Sequence, residues 1–173
     1  MRILLLALIM LSTKICCGQD SASAVYINEV VQKIETRVSS DIMEHKDTSI
    51  FDDGDSLQKG AFLSVHTEFY TDPKTMLLDK ILEKSLYKKT STELTIYFQG
   101  NQPILFTNRQ WEGSLLHYDF TIYYKNDNPV FIAKRSSING TPDSHAYLNW
   151  CYDLRKEYFG IVNEYNQLFA KAK

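Results

Sequence analysis

Glu93 and Asp119 are the residues whose type and spacing come nearest to catalytic chemistry. They hold equivalent positions in two copies of an internal repeat. If those copies fold as consecutive antiparallel hairpins, the two side chains share a sheet face and stand two strands apart. Strands lie ~4.8 Å apart, which sets their Cα atoms roughly 10 Å from each other. Carboxyl groups ~6.5–9.5 Å apart are the spacing with which an inverting glycosidase holds a water between its acid and its base. His117 and Tyr123 lie on the same arm as Asp119, where they would help position a ligand. These residue types are equally ordinary on the solvated face of a sheet, and that reading carries more weight. No residue is assigned as catalytic, and no enzyme activity is expected.

The same face offers a second kind of chemistry. Glu93, Thr95, Tyr97, His117, Asp119, Thr121 and Tyr123 alternate with apolar residues, and form an aromatic and hydroxyl-bearing surface suited to a glycan, a peptide or a partner protein. Thr67 and Phe69, from a weaker third copy, extend the pattern. The bland alternative is that these residues are simply β-formers that stabilise a sheet.

Other chemistries find no footing. The four histidines, His45, His66, His117 and His145, lack the spacing of a zinc site. His66 and Glu68 alternate on one strand face without a visible third ligand, so no metal and no cofactor is expected. Cys151 falls on an apolar helical stripe, the setting of an inert buried thiol. No serine stands in a Gly-x-Ser-x-Gly elbow, and no glycine-rich phosphate loop exists among seven glycines. FDDGD (51–55) lacks the ligand spacing of an EF-hand and reads as a solvated loop. Asn139-Gly140-Thr141 is a formal glycosylation sequon, meaningful only on a eukaryotic secretory route. Trp111 is either a sugar-stacking platform or, more commonly, a tryptophan that folds its loop onto the sheet.

The elements that must position these residues are legible from periodicity. LTIYFQGNQPILFT (94–107) lies over FTIYYKNDNPVFIA (120–133) at an offset of 26 without gaps, and TEFYTDPKTMLL (67–78) aligns more weakly at an offset of 28. Each unit reads as a β-hairpin. β-Branched and aromatic residues fill the arms, Gly100-Asn101 and Asn126-Asp127 supply the left-handed conformations of tight turns, and Pro103 and Pro129 open the return arms. Alternation places Leu94, Ile96 and Phe98 with Tyr118, Phe120, Ile122 and Tyr124 on a core face, opposite the candidate surface.

Two amphipathic helices flank the hairpins. Over residues 24–45, Ile27, Val30, Val31, Ile34, Val38 and Ile42 recur at helical spacing, with Ser21 or Ser23 as cap. KDTSIFDDGDSLQKG then reads as a loop. Over 144–171, Leu148, Cys151, Leu154, Tyr158, Ile161, Tyr165 and Leu168 form a second stripe behind Asp143 or Ser144 as cap, with Gly160 as a weak point. Two apolar stripes and one apolar sheet face imply a two-layer α+β domain. The expected fold is a six-stranded antiparallel meander of three hairpin repeats spanning 62–135, with the N- and C-terminal helices packed on one face.

The N-terminus carries Arg2 and an apolar run from Ile3 to Leu11, too short for the ~20 residues of a membrane-spanning helix. It reads as a signal peptide, residues 1–18, with cleavage after Gly18 and a single domain over 19–173. A lipid anchor on Cys16 or Cys17 is the weaker alternative, because Lys14 and Ile15 are not the small residues that such a site wants. Removal of Arg2 and Lys14 leaves 17 basic against 21 acidic residues, a balance of −4. Such a chain lacks the basic footprint of a nucleic-acid binder. Cys151 would be its only thiol, which excludes an internal disulfide.

A leader ending in Gly-Gln, a helix, and repeated aromatic–aromatic–turn–Pro–apolar hairpins together resemble small uncharacterised exported proteins of Bacteroidota-type bacteria. The resemblance covers most of the mature chain and implies no activity or functional residue at individual positions. The expectation is an exported protein that binds a protein or glycan ligand in the periplasm or cell envelope. The alternatives are an immunity or inhibitor protein covering a partner enzyme, and a carbohydrate-active hydrolase using Glu93 and Asp119.

Overall fold

The computed structural model describes residues 20–38, 44–52, 61–72, 75, 77–135 and 141–171. The leader, most of FDDGD and the start of the sequon lie outside these residues. Two helices, α1 (Ser21–Val38) and α2 (Ser144–Lys171), enclose seven strands: β1 (Glu44–Asp52), β2 (Ala61–Thr71), β3 (Leu78–Tyr87), β4 (Thr90–Gln99), β5 (Gln102–Glu112), β6 (Leu115–Lys125) and β7 (Asn128–Lys134). The strands form one antiparallel sheet in the order β1-β2-β3-β4-β5-β6-β7. The expected meander of hairpins is therefore present in an α+β fold, and one further strand extends it.

That strand, β1, falls where the polar composition of KDTSIFDDGDSLQKG reads as a loop. It pairs with β2 along its whole length, from Glu44↔Phe69 to Asp52↔Ala61. A charged, polar strand is a common solution at a sheet edge, where apolar residues would invite further pairing. The first helix is correspondingly shorter than its stripe suggests, since Glu44 already belongs to β1. Residues 39–43 of the expected helix lie outside the described residues.

The helix caps are aspartates. Asp143 Oδ1 accepts from the His145 and Ala146 amides, each at 3.1 Å. Asp20, rather than Ser21 or Ser23, caps α1 by accepting from the Ser23 amide at 3.0 Å. The Asp20 amide in turn donates to Val130 O at 2.9 Å, tying the start of α1 to the last strand.

The two strong repeat copies fold alike. Gly100 and Asn101 have φ of 58° and 68°, and Asn126 and Asp127 have 50° and 62°, the left-handed pairs that a two-residue hairpin of matching twist requires. Just beyond each tip the register shifts. Phe98 pairs with Pro103 while Tyr97 pairs with Leu105, and Tyr124 pairs with Pro129 while Tyr123 pairs with Phe131. Ile104 and Val130 are thus bulged out of the ladder, each directly after its proline.

These bulges decide where the helices go. On one face Phe69, Ile81, Leu94, Ile96, Phe98, Phe106, Phe120, Ile122 and Tyr124 are buried against Leu148, Cys151, Leu154 and Tyr158 of α2. The Tyr124 hydroxyl donates to Ser144 O at 2.7 Å and fixes the start of that helix. The opposite face gains two consecutive apolar residues from the bulge, Ile104 and Leu105. They pack with Tyr97, Tyr123 and Val130 against Ile27, Val30 and Val31 of α1. The expectation that both helices share one face is therefore corrected. Bulging exposes a second greasy strip, and α1 covers it, which gives helix, sheet and helix layers.

Candidate functional site

The pairings align residues in rows on the face that α1 partly covers. Nearest the hairpin tips runs Tyr70–Lys80–Tyr97–Leu105–Tyr123, followed by Glu68–Leu82–Thr95–Thr107–Thr121, then His66–Lys84–Glu93–Arg109–Asp119, and lastly Ser64–Leu86–Ser91–Trp111–Leu116. The structure thus brings Glu93, Thr95, Tyr97, Asp119, Thr121 and Tyr123 onto one face, as their alternation implies. It divides them, however, between a covered half and an open half.

The first row is a seat for α1. Glu35 Oε1 takes hydrogen bonds from Lys80 Nζ at 2.7 Å and from the Tyr97 hydroxyl. Tyr123 donates to Asn28 Oδ1 at 3.2 Å. The Lys80 ammonium also lies 5.2 Å from the Tyr70 ring and 5.6 Å from the Tyr97 ring, within cation–π range. Burial pushes the Tyr97 hydroxyl above its ordinary pKa, and the bond to Glu35 adds to it. Burial pushes Glu35 up, but the bonds from Lys80 and Tyr97 bring it to a net value below 4.5. Tyr97 and Tyr123 therefore help to seat α1 and are half-buried by it.

In the next row Thr95 is buried and Thr107 and Thr121 are half-buried. Glu68 accepts from the Tyr70 hydroxyl and lies 2.9 Å from His66 Nε2. Burial and then the Glu68 bond push the Tyr70 hydroxyl up to about 12. Among the described residues no group of three histidine, cysteine or acidic side chains could hold a metal ion.

Glu93 and Asp119 do stand two strands apart, but Arg109 of the intervening β5 fills the space between them. Its Nη1 is 3.7 Å from Glu93 Oε1 and its Nε is 3.8 Å from Asp119 Oδ1. An inverting pair needs a water in that gap, and a cation occupies it. Asp119 is buried as well. The arrangement is an ion-pair ladder across three strands.

His117 leaves the group. Gln110 pairs with Tyr118 and Trp111 with Leu116, so His117 is the extra residue of a bulge. Its Nε2 lies 2.9 Å from Glu112 Oε2 at the end of the hairpin. Thr67 and Phe69 leave it too. The rows set Glu68, not Thr67, level with Thr95, an offset of 27 where the sequence alignment reads 28. A one-residue slip flips every side chain of a strand, and Phe69 is accordingly buried against α2, its ring centroid 5.4 Å from that of Tyr158. Cys151 is fully buried, and burial pushes its thiol up to about 12, so it is no nucleophile at neutral pH.

What remains open is the far end of the face. Ser64, His66, Lys84, Leu86, Ser91, Glu93 and Trp111 line a cleft of about 390 Å³. Leu86 and Leu116 are 49% and 43% exposed, and Trp111 is half-buried. Arg109, Lys84 and Leu86 are the residues that sequence reasoning missed. All stand on the return arms, where the alternation in LDKILEKSLY and NRQWE would have placed them. A second hollow, of about 650 Å³, runs along α2 and is lined by residues of that helix, with Arg155 stacked 5.3 Å over Phe159.

Compared with known protein families, curated proteins and solved structures, the chain matches none.

Proposed function

We propose that this chain is an exported, non-enzymatic binding protein of the periplasm or cell envelope, and that the half of the sheet face beyond α1 is its binding surface. The observation that carries this reading is the asymmetry of cover. α2 buries its face from Phe69 to Tyr124, whereas α1 closes only the tip end of the other, leaving Leu86 and Leu116 exposed beside Trp111. Apolar side chains exposed along one row of a sheet gain from losing water when a partner covers them. Arg109 already lies within 4 Å of both Glu93 and Asp119, so the sheet itself supplies a counter-charge to these acids. Hydrolysis is not favoured, since the carboxylates that would perform it hold Arg109.

Export is supported by the apolar leader, residues 3–11. Among the described residues no helix is long and apolar enough to cross a membrane. The surface is tested by a Leu86→Lys, Leu116→Lys variant in crosslinking pull-downs from the native envelope. Loss of the wild-type adducts, with an unchanged melting temperature, supports the reading; adducts that persist in the variant refute it.

A further inference from the structure

From the chemistry lining the cleft, we infer that it takes a neutral saccharide, stacked on the indole of Trp111. This inference rests on the reading of the open half-face as a binding surface, and it names the ligand class. The two tryptophans of the chain differ in their surroundings. Trp150 stacks on Tyr147, with ring centroids 6.3 Å apart and planes inclined by 23°. Among the described residues no aromatic ring stacks on Trp111, which stands half-buried at one wall of the cleft. An unstacked indole face offers area for the C–H face of a sugar ring at little entropic cost.

The remaining lining decides the class of ligand. The hydroxyls of Ser64 and Ser91 both donate and accept, Glu93 accepts, Lys84 donates, and Leu86 supplies apolar contact. A hydroxyl-rich neutral ligand satisfies such a mixture, because each of its groups also donates and accepts. A purely apolar ligand would strand these polar groups, at about 1–3 kcal/mol for each one buried without a partner. An anionic ligand would need an excess of cations, but the His66 ring already lies 2.9 Å from Glu68, and Lys84 stands opposite Glu93 in the ladder. The cleft volume of about 390 Å³ falls in the ~300–1,000 Å³ range of small-ligand sites.

The two tryptophans make the test direct. Trp150→Phe leaves Trp111 as the sole tryptophan reporter. The purified protein is titrated with soluble neutral trisaccharides of glucose, mannose, xylose and N-acetylglucosamine while Trp111 emission is followed. Saturable quenching or a blue shift with at least one of them is expected. Calorimetry should show at least a tenfold loss of affinity in Trp111→Ala and partial retention in Trp111→Phe, both melting as the wild type does. Emission unmoved by every sugar overturns the saccharide assignment. If crosslinks from the same surface then lead to a protein, the surface stands and only the ligand class falls; if they lead to nothing, both fall.

Discussion

Ile27→Ala tests the seat of α1. Ile27 is 3% exposed and packs onto Ile104 and Leu105, with Val130, Tyr97 and Tyr123 around it. Removing a buried aliphatic side chain to alanine costs about 2–5 kcal/mol, depending on how far the site collapses. Here the lower part of that range applies. The cluster is a satellite of the main core, and its half-buried rim of Val30, Val31 and Val130 can close toward the gap. A loss of about 2–3 kcal/mol lowers the melting temperature by roughly 5–10 °C in a domain of this size. The matched control is Val25→Ala on the outer side of the same helix, 60% exposed, expected within about 0.5 kcal/mol of wild type. Thermal unfolding followed by far-ultraviolet circular dichroism reads both. Equal shifts for the two variants would refute the claim that bulged Ile104 and its neighbours hold α1 on the second face.

Three further outcomes follow from single residues. Gly100→Val places a β-branched side chain at φ 58° with nothing within 4 Å of its Cβ, so its cost of about 1–3 kcal/mol is backbone strain alone; an unchanged melting temperature would argue against the tight turn. Gly160→Ala, in the middle of α2 with open space around the added methyl, should stabilise by about 0.5–1 kcal/mol, and a lower melting temperature would show a packing contact there instead. Glu35, held below its ordinary 4.5 by Lys80 and Tyr97, contributes stability that is present above pH 4.5 and lost as pH falls through its folded value. Denaturant melts of Glu35→Gln between pH 5 and 3 should therefore fall less steeply than those of wild type, and parallel curves would contradict the pairing.

Much of this fold was legible because its signals are local. The outgoing arms announce their faces by strict alternation, and Gly100-Asn101 and Asn126-Asp127 announce their turns by residue type. Register is not local. The bulges at Ile104 and Val130 each add one residue to a strand, and nothing in PILF or PVFI marks which residue is extra. What those stretches do show is an unbroken apolar run, the pattern of a strand buried on both faces, and this hinted that a second helix layer was needed. The third repeat copy has Thr75 where the other two align Pro103 and Pro129, so nothing anchors its alignment, which reads one residue out of register and puts Phe69 on the wrong face. Arg109 stands on a return arm, and its place between Glu93 and Asp119 puts a cation where an inverting pair needs a water. β1 (EHKDTSIFD) carries no sustained apolar alternation, only Ile50 and Phe51 near its end, so its composition reads as loop.

The most direct measurement of the central claim compares two positions in the native envelope. A photo-crosslinking amino acid is placed at position 86, on the open half of the sheet, and separately at position 153, on the exposed outer side of α2 where Asp153 pairs with Lys156 at 3.1 Å. A discrete adduct is expected from position 86 and none from position 153. Adducts from both, from 153 alone, or from neither would contradict the central claim.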